Sequence, residues 1–149
     1  MWVHALSGVL WVGACATFVI AAAALAGEPD ESLAFARRAA PQINRLCATL
    51  CVAIPISGLA NLLFAAQAHG SVLPDAFIRI VIAKIGLLTI MVLALLGAWR
   101  ASRALLKKSA ASMSESGGEN NIRRLMIFYG LTSGAGMMAL GLGLWLTGI

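Results

Sequence analysis

The stretch FIRIVIAKIGLLTIMVLALLGAW, from Phe77 to Trp99, decides the fold of this chain. Nearly every residue in it is apolar, and a helix of about 20 such residues spans the hydrocarbon core of a bilayer. Lys84 is the conspicuous exception. An ammonium group at membrane depth costs several kcal/mol unless it snorkels, pairs with another group or faces water. Lys84 is therefore a candidate functional residue, although a lysine about 10 Å below the helix start can also snorkel to the interface.

The composition of the whole chain is that of a polytopic membrane protein. The chain has 149 residues, of which 60% are hydrophobic and 11% are charged, and its mean hydropathy is +0.90. A soluble domain carries about 25% charged residues. The apolar residues form four segments of membrane-spanning length, at about 2–26, 46–68, 76–99 and 125–147. We therefore predict an all-α fold in which residues 1–149 form one integral membrane four-helix bundle.

The basic residues indicate how the bundle is oriented. Positively charged side chains are concentrated in cytoplasmic loops, and here the N-terminus and the connection HGSVLPD have no lysine or arginine. Both termini are predicted to be outside, in the periplasm of a bacterium, and the protein to be a multi-pass protein of the inner (plasma) membrane. The predicted partner is the lipid bilayer and not nucleic acid, although the pI is near 9.7. The residues in the two basic connections are Arg37, Arg38, Arg45, Arg100, Arg103, Lys107, Lys108, Arg123 and Arg124.

Polar residues from three helices are predicted to meet in the outer leaflet. Counting helical rises from the outer surface places Trp11, Asn61 and Lys84 at a similar depth of about 10–13 Å. His4 begins the first helix, and Arg79 lies near the outer end of the third. Each of these side chains alone has an ordinary explanation in helix packing or at the interface. Together they predict a cofactor-binding site formed by His4, Trp11, Asn61, Arg79 and Lys84.

Two histidines lie on the predicted outer side, and three cysteines lie nearer the cytoplasm. Neutral imidazole is a common ligand of metals and haem, so His4 and His69 are the predicted metal ligands. Cys15, Cys47 and Cys51 are a second group, since thiolate sulfur suits Cu(I). Cysteine is also ordinary apolar filler in helices, and the cysteines do not suggest a disulfide framework.

The second and third apolar segments resemble the copper-resistance protein D domain. That family has a Ser-Gly pair in one helix, and here PISGLANLL carries Ser57 and Gly58. It then has an aromatic-x-Arg followed five residues later by a lysine, a long aliphatic run and a basic end. Phe77, Arg79 and Lys84 match those positions in FIRIVIAKIGLLTIMVLALLGAWRASR.

The first apolar segment is similar to the opening of the same domain. HALSGVLWVGA has its His-x6-Trp-x-Gly pattern at His4, Trp11 and Gly13. The HemJ-type protoporphyrinogen oxidases, small haem-associated membrane proteins, share this opening and a third-helix lysine. This chain lacks the arginine that HemJ proteins carry near the end of their first helix, and it has fewer helices than full-length copper-resistance D proteins.

Three functions are therefore predicted as alternatives. The first, implied by the resemblance, is copper transport or delivery through the outer-leaflet site, with His4 as ligand. The second is a redox or porphyrin-handling protein that binds haem b, with His4 as axial ligand and with Arg79 and Lys84 on the propionates. The third is a non-catalytic subunit of a larger membrane complex. The sequence leaves open whether any reaction is catalysed and whether the chain forms a homo-oligomer.

Overall fold

The computed structural model describes residues 2–68, 75–108 and 115–146. These residues form four α-helices: α1 (Trp2–Ala24), α2 (Pro29–Ala68), α3 (Asp75–Lys108) and α4 (Glu115–Leu146). The described part of the chain contains no strand. All four helices are long and apolar enough to cross a membrane. The predicted all-α, four-helix membrane architecture is confirmed.

The helices form a bundle in which each helix packs against the next one along the chain, and α4 closes it against α1. Contacts at the ends show that neighbours are antiparallel. Gly58, late in α2, adjoins His4 at the start of α1, whereas Phe35, early in α2, stacks on Phe18 near the end of α1. Of the two diagonal pairs, α2 and α4 are in contact. The backbones of α1 and α3 do not approach each other within the described residues. The buried core contains side chains of all four helices.

Three helices extend beyond the apolar segments at the end that carries the basic residues. The segment 27–45, predicted as a connection, is helical from Pro29 onwards, and α4 begins at Glu115 instead of near residue 125. The third helix continues past Trp99 to Lys108, about two and a half turns. These extensions pack on one another, since Ala36, Leu105 and Ile122 are all buried in the common core. Hydropathy identifies only the apolar part of each helix, so the predicted spans end where the apolar residues end.

The early start of α2 follows from its first residues. Proline suits the first turn of a helix, where its missing N–H has no intrahelical partner in any case. Asp30 and Glu31 place negative charge at the positive end of the helix dipole. The Ser32 N–H then donates to the Glu28 carbonyl over 2.9 Å, which forms the first helical hydrogen bond.

Glycine permits close helix contacts at some positions of α4 and leaves a groove at others. A Cβ added at Gly136 would overlap the Val12 side chain of α1 and reach Met91 of α3. A Cβ added at Gly130 or Gly134 would meet nothing within 4 Å. The latter two line a surface groove between α1 and α4 instead. The Gly130-x-x-x-Gly134 pattern therefore does not mediate packing inside this chain, whereas Gly136 does.

We expect Gly136→Ala to destabilise the bundle and Gly134→Ala, its matched control one half-turn away, not to. Val12 is β-branched and stiff, so it cannot yield easily to the new methyl group, and such overpacking costs about 1–3 kcal/mol. The control has open space and gains up to about 1 kcal/mol of helix propensity. Thermal unfolding in detergent measures both. Equal stability of the two variants would contradict this packing.

The orientation of the bundle stays a prediction from the basic residues. Reporter fusions at both termini test it: a periplasm-active enzyme is expected to work at either end, and a cytoplasm-active one at neither. Replacing Arg37, Arg38 and Arg45 with glutamine is expected to weaken this preference, because the positive-inside rule depends on such residues. A cytoplasmic terminus in the unaltered protein would contradict the prediction.

Candidate functional site

The imidazole of His4 is held in one orientation by α2. Its Nδ1 lies 3.0 Å from the Ile54 carbonyl oxygen and 3.1 Å from the Ser57 hydroxyl oxygen. A carbonyl only accepts hydrogen bonds, so Nδ1 carries the proton in this arrangement. The Ser57 hydroxyl in turn donates to the Ala53 carbonyl over 2.6 Å. The other ring nitrogen, Nε2, is consequently an acceptor with a free lone pair, which is the usual state of a histidine that binds a metal.

Gly58 gives the imidazole the space that it occupies. A Cβ at this position would lie 3.2 Å from Cε1 and 3.5 Å from Nδ1 of His4. Contacts of 3.2 Å are tighter than ordinary van der Waals contacts, so a larger residue would push the ring away from Ile54. The Ser57-Gly58 pair thus has two roles: the serine orients His4, and the glycine makes room for it.

Lys84 lies on the opposite side of the same end of the bundle. It is half-buried, and its Nζ lies 3.0 Å from the place of a Cβ on Gly143, so the ammonium group sits against the α4 backbone. Gly143 follows Leu140, which contacts Gly8 of α1, so Lys84 lies at the same end of the bundle as His4. Among the side chains that the structure describes, no carboxylate lies within ion-pair distance of Lys84. A half-buried cation without a counter-charge favours an anionic group nearby.

The other predicted site residues differ in their surroundings. Trp11 is completely buried in the core, and its indole Nε1 has no hydrogen-bond partner among the described residues. Asn61 is half-buried, and Arg79 is exposed. His69 lies outside the described residues. The structure therefore brings His4 and Lys84 together, and it adds Ser57, Gly58 and Gly143 to them.

Sequence reasoning missed the roles of these three added residues. Ser57 and Gly58 had a signal, because they form the Ser-Gly pair that resembles the copper-resistance D domain. Gly143 had no such signal, since it is one of several glycines in α4. Only the packing of α3 against α4 shows that this glycine faces Lys84.

A second polar cluster lies deeper in the core. The sulfur atoms of Cys15 in α1 and Cys47 in α2 are 3.8 Å apart, and both side chains are fully buried. The Tyr129 hydroxyl of α4 donates to the Asn44 side-chain oxygen over 2.9 Å, and it also lies 3.3 Å from the Ala40 carbonyl. The ring of Phe18 contacts the Tyr129 ring edge-on at 4.7 Å. Three helices are joined here by polar and aromatic contacts.

No family model, curated protein or solved structure matches this chain. The resemblance to the copper-resistance D domain and to the HemJ-type proteins therefore stays a prediction from the motifs. In the structure, four of the motif residues lie at the same end of the bundle. His4, Ser57 and Gly58 are in direct contact, and Lys84 lies against Gly143 of α4.

We expect Tyr129→Phe to destabilise the protein by about 1–2 kcal/mol, because it removes a hydrogen bond between helices and leaves the buried Asn44 oxygen without its donor. Thermal unfolding in detergent measures the loss. Thr49→Ala is the control: this hydroxyl is exposed and bonds only within its own helix, so its removal is expected to change stability by less than about 0.5 kcal/mol. A Tyr129→Phe variant as stable as the control would show that the hydrogen bond contributes nothing.

Proposed function

We propose that this protein binds haem b at the outer end of the bundle, as a redox or porphyrin-handling membrane protein. One observation carries the proposal. The hydrogen bond from His4 Nδ1 to the Ile54 carbonyl leaves Nε2 available as a ligand, and the ammonium group of Lys84, which has no carboxylate partner among the described residues, lies at the same end of the bundle. An imidazole and a cation together match a ligand that contains a metal centre and also carries carboxylates.

The charge of Lys84 supports haem over a bare copper ion. A cation that is half-buried and not paired with a carboxylate repels a metal ion, and the repulsion is stronger there than in water. The same cation attracts the propionates of haem. A porphyrin supplies its own four nitrogens, so one protein imidazole is enough.

The residues of the chain have separate tasks in this proposal. His4 ligates the iron through Nε2, and Ser57 and Ile54 hold its ring in place. Lys84 and the exposed Arg79 bind propionates, while Gly58 and Gly143 leave space for His4 and Lys84. When bound, haem supplies one-electron chemistry; the protein fixes its orientation and the charge around it.

Copper transport or delivery is the second proposal, and one observation favours it. The free Nε2 of His4 is a ligand for copper as well as for haem iron. It also agrees with the resemblance to the copper-resistance D domain. The positive charge of Lys84 counts against it. A subunit role in a larger complex is the third proposal, and the unfilled groove at Gly130 and Gly134 supports it, since small residues of this kind let a further helix approach closely.

An absorption spectrum of the detergent-purified protein, expressed with a supply of haem precursor, tests the first proposal. We expect a Soret band that is lost in His4→Ala. We expect Lys84→Met to weaken haem binding by about tenfold or more, and Lys84→Arg to retain it, since arginine also pairs with carboxylates. His69→Ala determines whether a second histidine contributes.

Two outcomes contradict the haem proposal. The first is the absence of a Soret band in the unaltered protein, even after titration with added haem. The second is a Soret band of equal strength in His4→Ala. Stoichiometric Cu(I) that is lost in His4→Ala, without a chromophore, would support the copper function instead. Stable co-purification of a partner with neither ligand would support the subunit role.

A further inference from the structure

We propose that Cys15 and Cys47 form a second, separate site in the core of the bundle that binds a soft monovalent metal ion, for which Cu(I) is the probe. This site does not depend on haem binding at His4. Its two ligands come from different helices, α1 and α2, and they are already neighbours in the folded chain. The inference rests on the geometry of the two sulfurs, on their surroundings and on the charge that a membrane core tolerates.

The distance between the two sulfurs suits a single shared ion. They are 3.8 Å apart. Metal–thiolate bonds are about 2.3 Å long, so two sulfurs on opposite sides of one ion are up to about 4.6 Å apart. The difference is under 1 Å, which a small change in side-chain torsion can provide. Thiolate sulfur is also the ligand type that selects Cu(I) over harder ions.

The position of the pair restricts which ions can be stable there. Counting 1.5 Å per residue, Cys15 lies about 20 Å from the start of α1 and about 13 Å from its end, in the half of the bundle nearer the basic residues, and both cysteines are fully buried. Its neighbours in the core include Trp11, Phe18 and Leu50, all apolar in the part that packs. A hydrated or multiply charged ion would have to shed its water without replacement there. A soft ion that binds two sulfurs needs no further ligands from water.

Two buried donors on the helices around the cysteine pair have no hydrogen-bond partner among the described residues. Trp11 is four residues before Cys15 on the same face of α1. Thr132 is three residues after Tyr129 of α4, whose ring packs on Phe18 of α1. The indole N–H of Trp11 and the hydroxyl of Thr132 are buried without a partner in the part of the chain that the structure describes. A thiolate in this part of the core is an acceptor of the kind that such donors lack.

Charge balance predicts how many protons leave. Both thiols are neutral without metal. If Cu(I) displaces one proton, the product is one thiolate, one thiol and one Cu(I), with no net charge. Loss of both protons would leave a net negative charge in the buried core of the bundle, which such apolar surroundings disfavour. We therefore infer that binding releases one proton per Cu(I) to water, with no change of oxidation state.

Cys51 is a matched control inside the same protein. It lies one helical turn after Cys47 on α2, but it is only partly buried. The described residues show no sulfur contact to it, and Cys15 pairs with Cys47 alone. If any thiol in this region were enough to hold copper, Cys51 would contribute as strongly as the other two.

The test is anaerobic titration of the full-length protein, purified in detergent under reducing conditions, with Cu(I) buffered by a coloured chelator. We expect one Cu(I) per chain, release of one proton, and two sulfur neighbours in the copper X-ray absorption spectrum. Cys15→Ser and Cys47→Ser are each expected to lower the affinity at least 100-fold. Cys51→Ser is expected to bind as the unaltered protein does.

The X-ray absorption spectrum of copper is measured on the unaltered protein. A folding defect in a variant therefore cannot account for a negative result. A spectrum with nitrogen neighbours only overturns the proposal, and so does an equal loss of affinity in Cys51→Ser. A Cys15–Cys47 disulfide that persists in the reduced, anaerobic protein also overturns it. The Soret band read on the same samples separates this site from the outer one: His4→Ala is expected to keep the two-sulfur copper signal, and Cys15→Ser to keep the haem.

Discussion

Two polar side chains bind this bundle together, because lipid offers no hydrogen-bond partner and a second helix does. The rest of the bundle is arranged around that constraint. At the outer end, the His4 imidazole of α1 bonds to the backbone of α2 at Ile54. At the level of Asn44, the Tyr129 hydroxyl of α4 bonds to α2. In both cases α2 supplies the acceptor, so this helix fixes the position of α1 at one end and of α4 at the other.

Close approach of the helices is the second requirement, and glycine meets it at chosen positions. Gly136 lies against Val12, and Gly97 lies against the Phe128 ring, where an added Cβ would be 2.6 Å from the ring. Gly58 and Gly143 do the same for polar groups, the imidazole of His4 and the ammonium group of Lys84. Close approach at glycine therefore positions the candidate site residues as well as the apolar core. A change of one glycine to a larger residue at the outer end would alter the candidate site without touching its ligands.

Much of this could be predicted from the sequence, for physical reasons that also set the limits. Lys84 stands out because a charge in an apolar helix is costly, and helical rise places it at the level of its neighbours. The long run of apolar residues predicts each span. The extension of α2 back to Pro29 could not be read from hydropathy, because Arg37 and Arg38 make that segment look like a connection. The contact between Lys84 and Gly143 depends on how α3 and α4 are rotated against each other, which a single sequence does not specify.

The two proposed ligand sites differ in charge and in chemical hardness, so they would bind different ligands. The outer one combines a nitrogen ligand with a positive charge, so it favours a metal complex that bears anions. The inner one combines two buried sulfurs with neutral surroundings, so it favours a soft ion in a neutral complex. His4, Trp11 and Cys15 lie along one face of α1, and about 16 Å of helix separates the first from the last. At that distance, with the fully buried indole of Trp11 between them, a ligand at His4 has no direct contact with the sulfurs. Binding at one site can therefore affect the other only by moving α1. The position of α1 is fixed by α2 at His4 and by α4 at Gly136.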